Sequence, residues 1–145
     1  METTLDSRVP SSLRTWFVVH FWADILVAVP LFLAPVTLLE ALGWQAVDPY
    51  AARIVAAALF GIGIESLLGR NGDLSAFVAM LNLKVIWSGV TLYGILWTIV
   101  QDGQGRPIGA WAVLATFALF HGLWVYWRLR TQKILAQPDS VGAGV

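Results

Sequence analysis

Four long runs of apolar residues constrain this chain more than any other feature of its sequence. They lie near residues 15–36, 50–69, 74–100 and 108–128. A helix needs roughly 20 apolar residues to cross a hydrocarbon layer about 30 Å thick, and each run has about that length. We therefore predict an all-α integral membrane protein. Residues 1–145 would form a single four-span transmembrane domain with a short polar N-terminal tail and a flexible C-terminal tail.

The composition agrees with this prediction and excludes several other classes of protein. Hydrophobic residues make up 58% of the chain, and charged residues make up 12%, against about 25% in a typical soluble domain. Nine basic and nine acidic residues cancel, so no basic field for binding a nucleic acid is expected. The chain has no cysteine, which excludes disulfides, thiolate catalysis and thiol-ligated metals. We expect no metal site. No serine or metal motif accompanies the histidines, so we also expect no enzymatic activity.

The connectors and the basic residues predict a topology. The connectors "GRNGD" (69–73) and "QDGQGRP" (101–107) are short, so consecutive spans should lie side by side in an antiparallel four-helix bundle. Basic residues near the ends of spans favour the cytoplasmic side of a membrane. One side of the bundle would hold six of them and the other only Arg53 and Arg106, which predicts that both termini are cytoplasmic. The six are Arg8, Arg14, Arg70, Arg128, Arg130 and Lys133.

Five ionisable side chains fall inside the predicted spans, where each charge costs roughly 2.5–3.5 kcal/mol. They are His20, Asp24, Glu65, Lys84 and His121. At a rise of about 1.5 Å per residue, Asp24 and Lys84 both lie about 15 Å deep, which predicts an intramembrane ion pair. The other three lie at about 8–10 Å, nearer the cytoplasm. We expect these groups to form a buried polar cluster.

Helical spacing extends this cluster and predicts a packing surface. Lys84, Ser88 and Thr91 share one face of the third span, so both hydroxyls should join the cluster. On the second span, Ala57 and Gly61 form a small-residue stripe with Glu65. Such stripes let membrane helices approach closely, so we expect Glu65 to point into a packed interface.

Three functions remain open for the cluster. It could be an ion-pair network that fixes the helix register, as in an accessory subunit or a self-associating scaffold. It could be the path of a proton-linked small-molecule transporter or channel, the usual meaning of charge inside a membrane. His20 and His121, on facing helices, could instead be axial ligands of a b-type haem. The last of these would make the chain a haem-binding membrane subunit, whereas the first two need no cofactor.

Tryptophans lie near most span ends, including the stretch "HGLWVYWRLR". Aromatic residues concentrate at the two membrane–water interfaces. We therefore expect them to form an aromatic belt. Its members would be Trp16, Trp44, Trp97, Trp111, Trp124 and Trp127.

The stretch "PVTLLEALGWQAVDPYAARIVAAALFGIGIESLLGR", followed after a short turn by "LNLKVIWSGV", resembles the DoxX-like group of small four-span bacterial membrane proteins. The resemblance covers about residues 30–95. Arg53, Gly61 and Lys84 match the pattern of that group, whereas His20 and His121 have no counterpart in it. The resemblance implies a multi-pass protein of the bacterial inner membrane. We expect an accessory subunit or scaffold whose partners are the bilayer and either further copies of the chain or a larger membrane complex.

Overall fold

A computed structural model describes residues 8–101 and 103–137, and within these ranges the chain is helical, with no strand. Four helices are long and apolar enough to cross a membrane. The all-α prediction is therefore confirmed, together with its four candidate spans. Both tails fall largely outside the described residues. The helices are α1 (Ser11–Leu33), α2 (Pro35–Ala41), α3 (Pro49–Leu68), α4 (Leu74–Val100) and α5 (Ile108–Ala136), with 3-10 turns at Gly69–Asn71 and Gly103–Gly105.

Prolines and aspartates determine where several helices begin and end. Pro30 lies inside α1, which continues to Leu33. Ala34 then leaves the helical region (φ −137°, ψ 59°), and Pro35 starts α2 at a position where a missing amide hydrogen costs nothing. The side chain of Asp48 accepts hydrogen bonds from the first amides of α3, and that of Asp73 accepts one from the first turn of α4. These carboxylates satisfy amide groups that a helix leaves unpaired at its start.

The long helices pack as two pairs, α1 against α3 and α4 against α5. The first pair meets along a small-residue seam, which we define as Ala28, Leu31, Ala52, Ala56 and Leu59. A larger aromatic core joins α1 to α4 and α5. It consists of Val9, Leu13, Phe17, Leu74, Phe77, Met80, Leu81, Trp124 and Trp127.

Hydrogen bonds tie the connectors together at each end of the molecule. At one end the Gly109 amide donates to the Leu42 carbonyl at 3.0 Å. There the Gln104 side chain also bonds the backbone of Gln45 and Ala46. At the other end the Arg14 guanidinium donates to the Arg70 carbonyl at 2.6 Å. Arg8 bonds the carbonyl of Ile134 there, so the start of α1, the α3–α4 connector and the end of α5 lie close together.

The aromatic belt prediction is wrong for two of its six members. Trp124 and Trp127 are 1% and 3% exposed, and both belong to the aromatic core. They point inward because α5 turns this face toward α1 and α4, where Trp124 contacts the Phe17 ring. Trp16, Trp97 and Trp111 are exposed, which leaves them available to the membrane interfaces.

Candidate functional site

A row of buried polar side chains crosses three helices between the aromatic core and the small-residue seam. Ser66 of α3 accepts a hydrogen bond from the Lys84 ammonium of α4 at 2.6 Å. Lys84 Nζ lies 3.1 Å from His20 Nδ1 of α1. The same Nδ1 lies 3.0 Å from Asp24 Oδ2, one turn further along α1. We call these four residues the polar array.

The array corrects the predicted pairing of Asp24 with Lys84. No direct ion pair joins these two residues, both of which the structure describes, because the His20 imidazole stands between them. A ring nitrogen carries either one hydrogen or one lone pair in the ring plane. His20 Nδ1 can therefore accept from Lys84 or donate to Asp24, but it cannot do both. The spacing of four residues correctly placed His20 and Asp24 on one face, but it could not reveal this sharing.

Lys84 is held in the interior by more than its hydrogen bonds. The side chain is 3% exposed. Its ammonium lies 4.9 Å from the ring centroid of Phe17 and 5.0 Å from that of Trp124. Aromatic faces attract cations, most strongly where water is excluded. Two acceptors and two ring faces thus replace the water that a lysine would otherwise need.

Asp24 fits against α3 because residue 63 is glycine. A Cβ atom at Gly63 would lie 2.8 Å from Asp24 Cβ and 3.2 Å from Oδ2. The first distance is a severe overlap, and the Asp24 Cβ atom is fixed to its own helix. Only glycine therefore allows α1 and α3 to approach with the carboxylate between them.

His121 belongs to a separate contact. Its Nδ1 lies 2.8 Å from the Ser88 hydroxyl, which also donates to the Lys84 carbonyl at 2.7 Å. A Cβ atom at Gly89 would lie 3.1 Å from the His121 ring, so this glycine makes room for the imidazole. Ser88 is therefore beside the array without bonding the Lys84 ammonium.

The geometry does not fit a haem between His20 and His121. Phe120 and Trp124 pack against the His20 ring in T-shaped contacts, with ring centroids 4.9 and 5.0 Å away. A porphyrin would need an open slot between its two axial ligands. Aromatic side chains fill that position. In the described part of the chain, no group of three or more His, Cys, Asp or Glu residues could hold a metal ion.

Three other predicted positions lie on the outer face of α3. Ala57, Gly61 and Glu65 are exposed on α3, and a Cβ atom at Gly61 would meet nothing within 4 Å. The predicted stripe is therefore not an interface within this chain. The physical reason is a rotation of about 100° per residue: α3 turns Ala56, Gly63 and their helical neighbours inward instead.

Glu65 adjoins the array, whereas Thr91 does not. Glu65 is exposed, but it lines a narrow crevice together with Ser66 and Lys84. It therefore approaches the array from outside the bundle. Thr91 is half-buried and lies outside the residues that line this crevice and the main cavity.

A cavity of about 110 Å³ adjoins the array on the side of α5. His20, Asp24 and Lys84 line one wall, and aromatic side chains dominate the rest. Val27 of α1 and Thr116 of α5 also line it, and both are exposed, so the cavity opens between these two helices. The remaining lining residues are Ala23, Leu59, Ile62, Trp87, Ser88, Phe117, Phe120 and Trp124.

Sequence reasoning missed Ser66, Gly63 and the two aromatic rings over Lys84. A signal for the first two was present. Positions 52, 56, 59, 63 and 66 follow helical spacing, and four of the five are small residues. The structure also shows a polar contact outside the array: the Asn82 side-chain oxygen accepts a hydrogen bond from Arg128 Nε at 2.5 Å. The rings could not be found, because contacts between distant helices leave no local spacing pattern.

Comparisons of this chain with protein-family models, with curated proteins and with solved structures find no match.

Proposed function

We propose that this chain is a multi-pass protein of the bacterial inner membrane that conducts protons through the polar array. One observation carries the proposal: His20 Nδ1 lies within 3.1 Å of both a buried ammonium and a buried carboxylate. Ionisable residues at membrane depth typically mark proton or substrate paths. A purely structural ion pair would need no titratable imidazole between its two charges.

The route has an entrance, a relay and an exit. Glu65 is exposed and lines the same narrow crevice as Lys84, so in this route it is the residue that delivers a proton to the lysine. Nδ1 of His20 accepts a proton from Lys84, which leaves a neutral amine that Glu65 can recharge. The new Nδ1–H then lies 3.0 Å from Asp24 Oδ2. Asp24 takes up this proton, and water that enters the cavity must carry it onward to return the array to its starting state.

The topology in this proposal is an antiparallel bundle with both termini in the cytoplasm. The contacts at the two ends support it, since Arg8, Arg14 and Arg70 lie at one end with the last turns of α5. Arg53 bonds the Phe32 carbonyl near the opposite end. Basic residues then predominate on one side, as expected for the cytoplasm.

Proton flux into liposomes tests the function. The purified protein is reconstituted around a trapped pH-sensitive dye, and a potassium gradient with valinomycin drives protons inward. We expect wild-type liposomes to acidify faster than empty ones. His20→Gln should abolish the excess, because an amide cannot relay a proton. His121→Gln is the matched control: it removes the only other histidine, which bonds Ser88 and lies outside the array.

Two results would refute proton conduction along this route. Wild-type liposomes could acidify no faster than empty ones, or His20→Gln could retain the full rate while remaining folded by circular dichroism. A loss in His121→Gln equal to that in His20→Gln would move the route to the other histidine.

A second candidate function is the accessory subunit or self-associating scaffold, with the DoxX-like resemblance as a further proposal. It is favoured by the exposed face of α3, where Gly61 meets nothing and the Glu65 carboxylate is exposed within a candidate span. A second copy packed there would cover both. Because the chain has no cysteine, Gly61→Cys should give a disulfide dimer in native membranes, while Leu119→Cys, exposed on α5, should not. Equal yields from the two variants would argue against this interface.

A further inference from the structure

We infer that the cavity beside the array is a binding site for a small neutral aromatic molecule that carries one O–H or N–H donor, such as a phenol. The inference goes beyond proton conduction, and it rests on three properties of the cavity: an unsatisfied acceptor, aromatic walls and a small volume.

The acceptor is the Asp24 carboxylate. The side chain is 9% exposed, and it lines the cavity. Oδ2 makes no properly oriented hydrogen bond within the described residues, but it is enclosed between His20 and Gly63 of α3, so Oδ1 is the oxygen that a ligand in the cavity can reach. No described residue donates to the other carboxylate oxygen either. A buried carboxylate without donors is costly, so the site favours a ligand that brings a donor.

The neighbouring cation does not compete for such a ligand. Lys84 already bonds Ser66 and His20, and its remaining side lies over two aromatic rings. Its positive charge and the negative charge of Asp24 cancel within the cavity wall. The site therefore favours a neutral donor over an anion or a cation.

The shape of the cavity favours a single aromatic ring. Trp87, Phe117, Phe120 and Trp124 line it, and aromatic faces pack well on a flat ring. An engineered apolar cavity of about 150 Å³ holds benzene, and this one measures about 110 Å³ with an opening to one side. The opening lies between α1 and α5, beside the exposed Val27. An apolar ligand could thus enter directly from the hydrocarbon layer.

Fluorine NMR of the full chain in lipid nanodiscs tests the site with two probes. These are para-fluorophenol, which carries a donor, and para-fluorotoluene, which has similar size but none. We expect the phenol to bind at least about tenfold more tightly, as the range for hydrogen bonds to charged groups implies. Empty nanodiscs measure partition into lipid. Asp24→Asn, which keeps the shape that Gly63 requires, should reduce the preference several-fold.

Thr116→Val is the matched control. Thr116 also lines the cavity, but its hydroxyl already donates to the Ala112 carbonyl at 2.9 Å. The preference for the phenol should survive this change.

Several outcomes would overturn the inference. They are equal affinity for the two probes, no binding beyond that of empty nanodiscs, and an undiminished preference in folded Asp24→Asn. The comparison of probes on the wild-type chain decides the question even if Asp24→Asn fails to fold. Because no proton gradient is applied, failure here leaves proton conduction standing, and loss of proton flux leaves the binding site standing.

Discussion

The aromatic core and the small-residue seam both pack helices together, the first with large side chains and the second with small ones. In the aromatic core, large rings such as Phe17, Phe77 and Trp124 fill the space between α1, α4 and α5. Along the seam, Ala52 and Ala56 allow α1 and α3 to approach closely. Lipid is as apolar as leucine, so both regions depend on close packing rather than on escape from water.

The polar array lies where these two regions meet, and it uses both. Lys84 lies against rings of the aromatic core, whose electron-rich faces stabilise its charge. Asp24 lies against Gly63, on the line of α3 that continues the seam. Large aromatic neighbours thus stabilise the cation, whereas the absence of a side chain at Gly63 makes room for the carboxylate. Each region should therefore respond differently to substitution.

The largest effect is expected in the aromatic core. Trp124→Ala removes a 1% exposed ring that contacts Phe17, His20 and Lys84. We expect a loss of stability near the lower end of the about 3–5 kcal/mol typical of buried aromatic truncations, since lipid rather than water surrounds the bundle. Thermal unfolding in detergent measures it. Trp111→Ala, at a 48% exposed position, is the control. An equal loss of stability there would show that Trp124 does not act through its packing in the aromatic core.

The seam should respond to enlargement instead. Gly63→Ala places a methyl group 2.8 Å from Asp24 Cβ, and overpacking of this kind costs about 1–3 kcal/mol. Gly61→Ala on the same helix meets nothing within 4 Å and should be neutral or stabilising by up to about 1 kcal/mol. Unfolding curves of the two variants compare them directly. Similar midpoints would mean that α1 and α3 are not in close contact at Gly63.

The sequence was sufficient for the four long helices and for the shared face of His20 and Asp24. Both follow from spacing along one helix, which hydrophobic runs and helical periodicity report directly. The stripe through Ala57, Gly61 and Glu65 does not pack against a helix of this chain, because two candidate small-residue lines run along α3 and the other one faces α1. Depth alone could not choose between them. Only contacts with α1 select the line through Gly63, and no single-helix pattern contains that information.

A smaller effect distinguishes the pairs within the array. Lys84→Met and His20→Leu should be strongly coupled in a double-mutant cycle, within the range of about 0.5–3 kcal/mol for residues in contact. Lys84→Met and Asp24→Leu should show weaker coupling, because His20 separates these side chains. Chemical or thermal unfolding of the wild type and the five variants (three single and two double) supplies both cycles. If Lys84 were coupled more strongly to Asp24 than to His20, the direct ion pair predicted from the depths of the two residues would be correct.

The smallest effect lies outside both regions, at the start of α4. The Ala76 amide and the Ser75 hydroxyl donate to Asp73, each at 2.8 Å, and hold the pKa of this carboxyl below its usual range. Asp73 therefore contributes stability that is present above its unfolded pKa and is lost as the pH falls through its lower folded pKa. Asp73→Asn should keep the helix cap but remove this acid-dependent part. The unfolding midpoint should then fall more steeply with decreasing pH in the wild type than in Asp73→Asn. Parallel pH dependences of the two proteins would show that the Asp73 carboxylate does not contribute this stability.

The division of the array between the two helix pairs has a consequence for biogenesis. α4 and α5 contain no acidic residue, so Lys84 has no counter-charge within its own helix pair, which forms the second half of the bundle. His20, Asp24 and Ser66 all come from the other half. A newly inserted second half therefore carries a bare ammonium in the bilayer until the first half docks against it. The charge of Lys84 is therefore neutralised in the same step in which the two helix pairs dock. An intact polar array thus marks a correctly assembled molecule.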